Sequence, residues 1–452
     1  MKSLLSLCRM ISGMSGIVCA AAFSSYLCAQ TSTPPPNIIF IMTDDVGYGD
    51  IGSYGAPDIN TPSIDQLADK GVRFTDFYAN GPVCSPTRTG FITGRYQQRY
   101  GLETPIFSDE PPNGKGLLAE GNSLPQLLKD VGYETALVGK WHLGTGDNHS
   151  PGAHGFDYFF GFKKGYTDYY QHTDALGEDD LWENDQQVHV DGYMTDLITR
   201  RSISFIEENA NQPFFLSVQY NAAHWPYQVP DMPGAARDNS RHLMPEEEQT
   251  SSCEDYIAIL ERADQGIGEI MVALDANGLA ENTLVVFTND NGGEWLSSNA
   301  PLFNRKGTVW EGGIRVPAVI RWPGVIPAGQ VTGQVGITMD LSATFLAVAG
   351  AKVPAGYSLE GINLMPVLTN QSSVVERTLF WREGNQANRA VRSVDMKLIM
   401  NGGRSFLFNV RDDIEEDIDL TNRGQSEIRK LRMLLDAWEA DVNAEARSRG
   451  VR

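Results

Sequence analysis

Four short apolar runs, well separated along the chain, are the strongest structural signal in the sequence. They are Asn37–Met42, Thr135–Gly139, Phe214–Val218 and Leu284–Thr288. A run that is apolar throughout is typical of a strand buried on both faces. The last three runs each follow a segment with helical character, so strands alternate with helices. This alternation predicts a mostly parallel β-sheet covered by helices on both sides.

The clearest helix is predicted from Cys253 to Leu279. Apolar residues recur there at helical spacing, and Asn277-Gly278 supplies the stop signal. A second helix is predicted near the C-terminus, from Gln425 to about Ala446, after the acidic loop Asp412–Asp419. Both patterns are typical of helices that pack one face against a core.

The pattern changes after about Thr369, where short alternating segments are separated by turns. These segments are Thr378–Arg382, Arg389–Ser393, Met396–Met400 and Phe406–Val410. They predict a small antiparallel sheet. The sequence as a whole therefore predicts an α/β fold with a mostly parallel sheet sandwiched by helices, followed by a small C-terminal antiparallel sheet plus helix. We expect a catalytic domain over residues 30–369 and a C-terminal subdomain over residues 370–452.

Residues 1–29 have the layout of a secretory signal peptide. Lys2 and Arg9 precede an apolar stretch that ends in small residues near Ala29, with no acidic residue. A membrane anchor is the alternative, but Ser, Gly and Cys interrupt this stretch, and no later segment approaches the ~20 apolar residues that a span requires. We therefore expect a secreted or periplasmic protein without a stable membrane span.

The acidic balance of the chain excludes one class of partner. The net charge is −21, and it becomes −23 once Lys2 and Arg9 leave with the signal. Nucleic-acid binding needs a basic face, so we expect no nucleic-acid partner. An anionic small substrate is not excluded in this way, because the few charges that line a pocket govern its binding.

Only two of the five cysteines lie outside the signal segment. Cys8, Cys19 and Cys28 fall within it, which leaves Cys84 and Cys253. One disulfide is possible for an exported protein. The sequence around Cys84 indicates a role other than a disulfide.

Polar residues with catalytic potential follow each of the four apolar runs. They are Asp44-Asp45, Lys140 with His142, His224, and Asp290-Asn291. Taken singly, each is an ordinary turn or structural residue. Ligands of open parallel sheets bind at the carboxyl ends of strands, so together these residues are expected to converge on one crevice.

The oxygen donors in this set suggest a metal ion. Asp44, Asp45, Asp290 and Asn291 offer three carboxylates and one amide carbonyl, which suit calcium or magnesium better than zinc. Export favours calcium. Lys140 and His142 are two residues apart in a predicted extended stretch, so both side chains are expected to point the same way.

The segment from Gly81 to Gly90, with the sequence GPVCSPTRTG, contains the most specific feature. If a helix begins near Cys84, with Pro86 in its first turn, Arg88 lies one turn further on the same face. Cys84 would then sit at a helix N-terminus, where an anion is favoured. A buried or metal-binding thiol is the alternative, but no other cysteine lies nearby in the sequence.

Cys84-Ser-Pro-Thr-Arg88 matches the C-x-P-x-R signature of type I sulfatases, and the chain resembles that family from about Asn37 to the C-terminus. Five other features of the family occur in order: the paired aspartates, G-K-W-H ending at His142, His224, D-N-G beginning at Asp290, and Lys306-Gly307 before E-G-G-I-R-V-P. The resemblance implies an alkaline phosphatase-like fold and hydrolysis of a sulfate ester.

The resemblance also implies a cofactor and a role for each residue. A dedicated maturating enzyme would oxidise Cys84 to formylglycine, with one calcium ion held by Asp44, Asp45, Asp290, Asn291 and the modified Cys84. Arg88 would hold the formylglycine diol, and Lys140 and Lys306 would bind the sulfate oxygens. His142 would be the base toward the diol and His224 the acid toward the leaving oxygen, or the two histidines would have these roles exchanged.

Two alternative functions are weighed against a sulfatase. A phosphoester or phosphonate monoester hydrolase of the same superfamily would use a similar site, and an unmodified relative would bind carbohydrate without catalysis. For the sulfatase, we expect a sulfated polysaccharide or oligosaccharide as substrate. Side chains able to contact a sugar, for which core packing is the more frequent role, are Trp182, Trp225, Trp295, Trp310 and His172.

Overall fold

The computed structural model of the chain describes residues 34–106, 116–232, 251–384 and 387–451. The predicted signal segment, residues 1–29, lies outside these ranges. Residues Pro35–Arg452 form one compact unit. In the part of the chain that is described, no helix is both long enough and apolar enough to cross a bilayer.

The strands, in chain order, are β1 (Asn37–Thr43), β2 (Val72–Phe74), β3 (Phe77–Tyr78), β4 (Glu134–Lys140), β5 (Tyr158–Phe162), β6 (Trp182–Glu183), β7 (Gln186–Gln187), β8 (Phe214–Gln219), β9 (Thr283–Asn289), β10 (Ala318–Arg321), β11 (Gln330–Thr332), β12 (Gly336–Ile337), β13 (Thr378–Arg382), β14 (Asn388–Ser393), β15 (Met396–Asn401) and β16 (Arg404–Asn409). The α-helices are α1 (Pro62–Asp69), α2 (Cys84–Thr93), α3 (Leu124–Lys129), α4 (Met194–Glu208), α5 (Cys253–Ala276), α6 (Glu311–Ile314), α7 (Thr338–Ala349), α8 (Met365–Leu368) and α9 (Gln425–Ser448).

A ten-stranded sheet forms the centre of the molecule, in the order β11-β2-β10-β9-β1-β8-β4-β5-β6-β7. The four predicted apolar runs are its middle strands β9, β1, β8 and β4, and these pair in parallel. β10 runs antiparallel to β9 and β2, and at the other edge β6 runs antiparallel to both β5 and β7. The predicted mostly parallel sheet is confirmed, with antiparallel strands near its edges.

Both faces of the sheet are buried, which explains why its middle strands are apolar throughout. In β1, Ile39 and Ile41 belong to the core on the side of α1, α4 and α5. Ile38, Phe40 and Met42 point to the opposite side and pack with residues of α2, α3 and α7. Successive side chains of the strand therefore pack into two different hydrophobic cores, one on each face of the sheet.

Helix α5 begins at Cys253 as predicted, and it ends at Ala276, three residues before the predicted Leu279. Ser252 accepts a hydrogen bond from the backbone N–H of Asp255 at 3.3 Å, and the Asp255 carboxylate accepts one from the N–H of Ser252 at 2.8 Å. This reciprocal capping satisfies donors that the helix cannot bond internally. After Ala276 the chain turns through Asn277 to Gly278, whose φ of 69° is left-handed. The stop predicted at Asn277-Gly278 is confirmed.

The C-terminal elements form a separate antiparallel sheet in the order β13-β14-β15-β16. Leu431, Leu435 and Val442 of α9 are buried against it, together with Trp381 and Leu398. The small sheet and its closing helix are thus as predicted. The boundary at residue 369 remains a prediction, because this sheet shares its core with Ile314 and other residues of the larger part.

Candidate active site

The carboxyl ends of the four middle strands bring the predicted residues together at one edge of the sheet. Asp44 and Asp45 follow β1, and Asp290 follows β9, its immediate neighbour. Lys140 is the last residue of β4, and His224 lies in the loop after β8. Parallel strands that are adjacent in space end side by side. Residues more than 200 positions apart in the sequence, such as Asp45 and Asp290, are therefore in contact.

Three carboxylates and a thiol form a tight cluster at this edge. One ligand atom from each of Asp44, Asp45, Cys84 and Asp290 lies within 4.8 Å of all the others, and all four residues are buried. Burial and the neighbouring Asp44 raise the pKa of Asp290 to about 6. Burial also acts to raise the pKa of Asp45, but Lys306 and His224 hold that pKa well below its usual range.

Asn291 leaves one oxygen unused beside this cluster. Its amide nitrogen donates a hydrogen bond to Oδ1 of Asp45 at 2.8 Å. Its carbonyl oxygen Oδ1 is buried and has no hydrogen-bond partner among the described residues. A buried acceptor without a donor is costly, by about 1–3 kcal/mol, unless another group satisfies it. A cation at the cluster would supply that partner, so the donor set fits a hard divalent metal ion.

Cys84 is the first residue of α2, as the sequence predicts. Its Sγ lies 3.5 Å from Oδ1 of Asp44, to which the thiol donates. Burial raises the pKa of the Cys84 thiol well above its usual range. An unmodified Cys84 is therefore a neutral thiol and a weak nucleophile. Cys84 is buried, Cys253 is exposed, and both are free, so the possible disulfide does not form.

Arg88 lies one turn along α2, on the face predicted from its spacing. Its guanidinium donates to Oδ2 of Asp290 at 2.9 Å and to Oε1 of Gln219 at 2.8 Å. It also donates to the backbone carbonyl of Lys140 at 3.3 Å. Arg88 thus links the helix that carries Cys84 to three of the strands, and the charge of Asp290 holds it in place.

Two lysines place positive charge on the carboxylate cluster. Lys140 is fully buried and donates to Oδ2 of Asp44. Lys306 Nζ lies 2.6 Å from Oδ2 of Asp45 and 3.1 Å from Oε2 of Glu294. Burial acts to lower the pKa of Lys306, but Asp45 and other nearby charges raise it well above its usual range, so this ammonium is charged.

His142 reaches the site in a different way from the one expected. Its φ is 57°, so the backbone is left-handed rather than extended, and simple alternation with Lys140 does not aim its side chain. The extended backbone predicted at His142 is therefore not found, although the charge of Lys140 still acts on the His142 ring. Nε2 of His142 lies 3.1 Å from the carbonyl oxygen of Ile106, while Nδ1 is buried without a partner among the described residues. Burial and Lys140 hold the pKa of His142 well below its usual range.

His224 faces Asp45. Its Nδ1 lies 2.6 Å from the backbone carbonyl oxygen of Trp225, so Nδ1 carries the proton that this oxygen accepts. Nε2 is 3.6 Å from Oδ2 of Asp45. Burial, together with Lys306 and Lys140, lowers the pKa of His224 to about 3, although Asp45 opposes this effect.

The aromatic residues considered for sugar contact have different environments. Trp310 is buried against Phe303, Phe406 and Phe408, which indicates core packing. His172 is buried with Nε2 at 3.0 Å from a backbone carbonyl oxygen. The other three are partly buried, and each has a close neighbour: Trp182 under Lys163, Trp225 against Tyr166 and Trp295 under Arg305.

Sequence reasoning missed four groups at or beside the site. Gln219 binds Arg88, the carbonyl of Ile106 orients His142, and Glu294 contacts Lys306. Asn221, next to the His224 loop, has both amide atoms buried without a partner in the described ranges. Gln219 is the last residue of a predicted strand, which was a usable signal. The others depend on loop geometry that no local pattern encodes.

Two protein-family models and several known proteins match this chain. The model described as "Sulfatase" matches residues 36–351, and one described as "N-sulphoglucosamine sulphohydrolase, C-terminal" matches residues 301–416. The chain is similar to the N-acetylgalactosamine-6-sulfatase of Homo sapiens, with 34% identity over 384 residues. That match covers 79% of this chain and 70% of the relative. The Rattus norvegicus enzyme of the same name is 33% identical over 387 residues, covering the same shares.

Solved structures show the same relationship. "Ps i-CgsB in complex with k-i-k-neocarrahexaose" superposes with a TM-score of 0.81 and 31% identity, over 89% of this chain and 92% of that one. "PsFucS1 sulfatase from Pseudoalteromonas sp." superposes with a TM-score of 0.74 and 26% identity, over 91% of each chain.

Proposed function

The chain belongs to the sulfatase family, and on that premise we propose that it removes sulfate from a sulfated carbohydrate. The catalytic group is formylglycine formed from Cys84, assisted by one calcium ion. The observation that carries this proposal is the position of Cys84. It begins a helix, it lies in a cluster of three buried carboxylates, and Arg88 lies one turn away. The family's signature therefore stands where an anion would meet a metal ion.

The substrate class is supported by two relatives. One is named for a sulfated amino sugar, N-acetylgalactosamine 6-sulfate, and the other was solved with the oligosaccharide k-i-k-neocarrahexaose. Both exceed 30% identity to this chain. We expect a sulfated polysaccharide or a fragment of one. The signal-like residues 1–29 support delivery to a secreted or periplasmic location, where such polymers are degraded.

Asp44, Asp45, Asp290 and Asn291 would hold the calcium ion, with the modified Cys84 as a further ligand. All-oxygen donors, most of them anionic, are what calcium prefers. The unsatisfied Oδ1 of Asn291 supports this assignment. When bound, the ion would supply a Lewis acid that offsets negative charge on the sulfate group.

Formylglycine would replace the neutral thiol of Cys84 by a hydrated aldehyde. Its two geminal hydroxyls would supply one oxygen to attack sulfur and a second to release the sulfate afterwards. The conversion requires a formylglycine-generating or sulfatase-maturating enzyme that reads the Cys84–Arg88 signature. This partner is inferred from the sequence motif.

The cationic side chains would hold the two anionic partners of the reaction. Arg88, fixed by Asp290 and Gln219, would hold the diol at position 84. Lys140 and Lys306 would donate to the sulfate oxygens, replacing part of their contact with Asp44 and Asp45. Buried charges of fixed orientation stabilise a transition state without reorganising.

His142 is suited to accept a proton. Nε2–H donates to the carbonyl of Ile106, which leaves the lone pair on Nδ1. Nδ1 is buried and has no partner within the described ranges, and the low pKa keeps the ring neutral. A neutral imidazole with a free lone pair is a base, so His142 would deprotonate the diol.

His224 is suited to donate a proton only as imidazolium. Nδ1–H is committed to the carbonyl of Trp225, so a second proton must occupy Nε2. Asp45, 3.6 Å from that nitrogen, stabilises the charged form. A bound anionic sulfate ester would add to that stabilisation and raise the pKa of His224 from about 3. His224 would then protonate the leaving sugar oxygen.

Parallel assays with a sulfate and a phosphate aryl ester test this proposal. A sulfatase hydrolyses the first with a larger kcat/KM, whereas a phosphoester or phosphonate hydrolase prefers the second. An unmodified, inactive carbohydrate-binding relative would hydrolyse neither, and mass spectrometry of its Cys84 peptide would show an unmodified thiol. The metal content of the purified protein should be one calcium ion per chain.

A further inference from the structure

Glu294 is a carboxylate at the rim of the site that the proposed chemistry does not use. Its Oε2 lies 3.1 Å from Nζ of Lys306, the ammonium that also pairs with Asp45. Its side chain is 24% exposed, compared with 3% for Asp45, the other carboxylate on Lys306. Glu294 is therefore the outer of two carboxylates that share one lysine.

The loop that carries Glu294 is fixed relative to Lys306. Asn299 Oδ1 accepts from the N–H of Gly293 at 2.8 Å, and Asn299 Nδ2 donates to the carbonyl of the same glycine at 3.0 Å. The N–H of Lys306 donates to that carbonyl at 3.1 Å. Three hydrogen bonds thus hold Gly293, the residue before Glu294, in a set position beside the lysine.

The charge of Glu294 is incompletely balanced. Lys306 is the one cation within 4.0 Å of its carboxylate in the described residues, and Lys306 also pairs with Asp45 at 2.6 Å. Arg305, the residue before Lys306, lies over the ring of Trp295, with its Cζ 5.2 Å from the ring centroid. Burial and the neighbouring Asp45 raise the pKa of Glu294, because two carboxylates share one ammonium there. This crowding of negative charge disfavours a further anion at the rim, where water is only partly excluded.

We propose that Glu294 selects the sugar substituent beside the scissile sulfate. It accepts a hydrogen bond from a neutral hydroxyl there and repels a second sulfate at that position. This inference rests on the proposed function, because it requires Lys306 to bind a sulfate oxygen. An ionised carboxylate can only accept hydrogen bonds, so a hydroxyl is a matched partner and another anion is not.

Glu294→Gln tests the proposal, because it removes the charge and keeps the shape. The substrates are the galactose or N-acetylgalactosamine monosulfate that the enzyme hydrolyses fastest, and the disulfate with its second sulfate on the neighbouring hydroxyl. In the wild type, kcat/KM should favour the monosulfate. In Glu294→Gln this preference should fall by about tenfold, in keeping with one removed like-charge contact near the surface. Glu294→Asp, which keeps the charge, should retain the preference.

The test includes one control variant and one second measurement. Glu281→Gln changes an exposed glutamate before β9, at the end of that strand away from the site, and should leave the preference unchanged. Inhibition by inorganic sulfate, a second measurement on the same proteins, should become stronger in Glu294→Gln.

An equal loss of activity on both substrates would overturn the proposal and make Glu294 a residue that only positions Lys306. No activity of the wild type on any sulfate ester, including an aryl sulfate, would instead overturn the proposed function.

Discussion

Arg88 donates a hydrogen bond from Nη2 to Oδ2 of Asp290 at 2.9 Å, and both side chains are buried. The contact joins the helix that begins at Cys84 to the strand end that carries a metal-ligand candidate. Oδ2 of Asp290 is thereby used for the helix, whereas Oδ1 accepts a long hydrogen bond of 3.4 Å from the N–H of Asp45 and keeps a second lone pair for a cation. The proposed nucleophile and the proposed metal site are therefore joined by a buried ion pair.

Asp290→Ala should weaken both metal binding and folding. It leaves the buried guanidinium of Arg88 without its closest anion, which typically costs about 3–5 kcal/mol. The free energy of unfolding, measured by denaturant titration without added metal, should fall by about that amount. Calcium content should fall as well. Asp275→Ala, an exposed aspartate on α5, is the matched control. Full calcium content in Asp290→Ala would remove Asp290 from the ligand set.

His224 and Lys140 should respond differently to the leaving group. Without His224 the departing oxygen is not protonated, so His224→Ala should lose about 10²–10⁴-fold in kcat/KM on a sulfated sugar and much less on an activated aryl sulfate. Lys140→Met removes charge from the sulfate group itself and should depress both substrates alike. The formylglycine fraction must be measured in each variant. Equal losses on both substrates for His224→Ala would leave His142 as the candidate acid.

Gly165 should be required for the position of His142. A Cβ at position 165 would lie 2.4 Å from Nε2 of the His142 ring and 2.5 Å from Cε1, closer than carbon atoms approach without a shift. Gly165→Ala should displace the ring and lower kcat/KM by about 10–100-fold, since small misplacements of catalytic groups have effects of this size. Gly152→Ala, where a Cβ meets nothing within 4 Å, should be neutral. Normal activity in Gly165→Ala would show that His142 is not needed in its observed place.

A buried charge cluster between α6 and the C-terminal sheet should make stability depend on pH. Lys397 Nζ lies 2.7 Å from Oε1 of Glu311 and 2.9 Å from Oε1 of Glu416. Burial raises the pKa of Glu416 to about 7, whereas Lys397 and Arg315, against the effect of burial, hold that of Glu311 at about 2.

Because the pKa of Glu416 is higher in the folded than in the unfolded chain, folding binds a proton between pH ~4.5 and ~7. The contribution of Glu416 to the free energy of unfolding is therefore full below pH ~4.5 and declines as pH rises toward 7. The free energy of unfolding of Glu416→Gln, relative to that of the wild type, should rise by about 1–3 kcal/mol as the pH increases from 5 to 8. Denaturant titrations of both proteins across this range check it. A stability difference that does not vary with pH would contradict the shifted titration.

The sequence predicted what depends on burial and on strand ends. The run Asn37–Met42 is apolar because both faces of β1 are covered, and Asp44 and Asp290 meet because parallel neighbours end together. What it did not predict depends on contacts without a local pattern. Gln219 binds a guanidinium 131 positions away, and the backbone of His142, just after β4, is left-handed. Glu294 is placed by a loop that folds back on Lys306, which spacing alone does not reveal.

The most direct test of the account is to compare sulfatase turnover with the fraction of formylglycine at position 84. Preparations made with and without a maturating enzyme are digested, the peptide containing Cys84 is quantified as aldehyde or thiol by mass spectrometry, and kcat is measured on an aryl sulfate. Turnover should be proportional to the aldehyde fraction and should reach zero for all-thiol protein and for Cys84→Ser, because a single hydroxyl cannot release the sulfate it accepts. Sustained turnover by protein that is entirely thiol at position 84 would contradict the account.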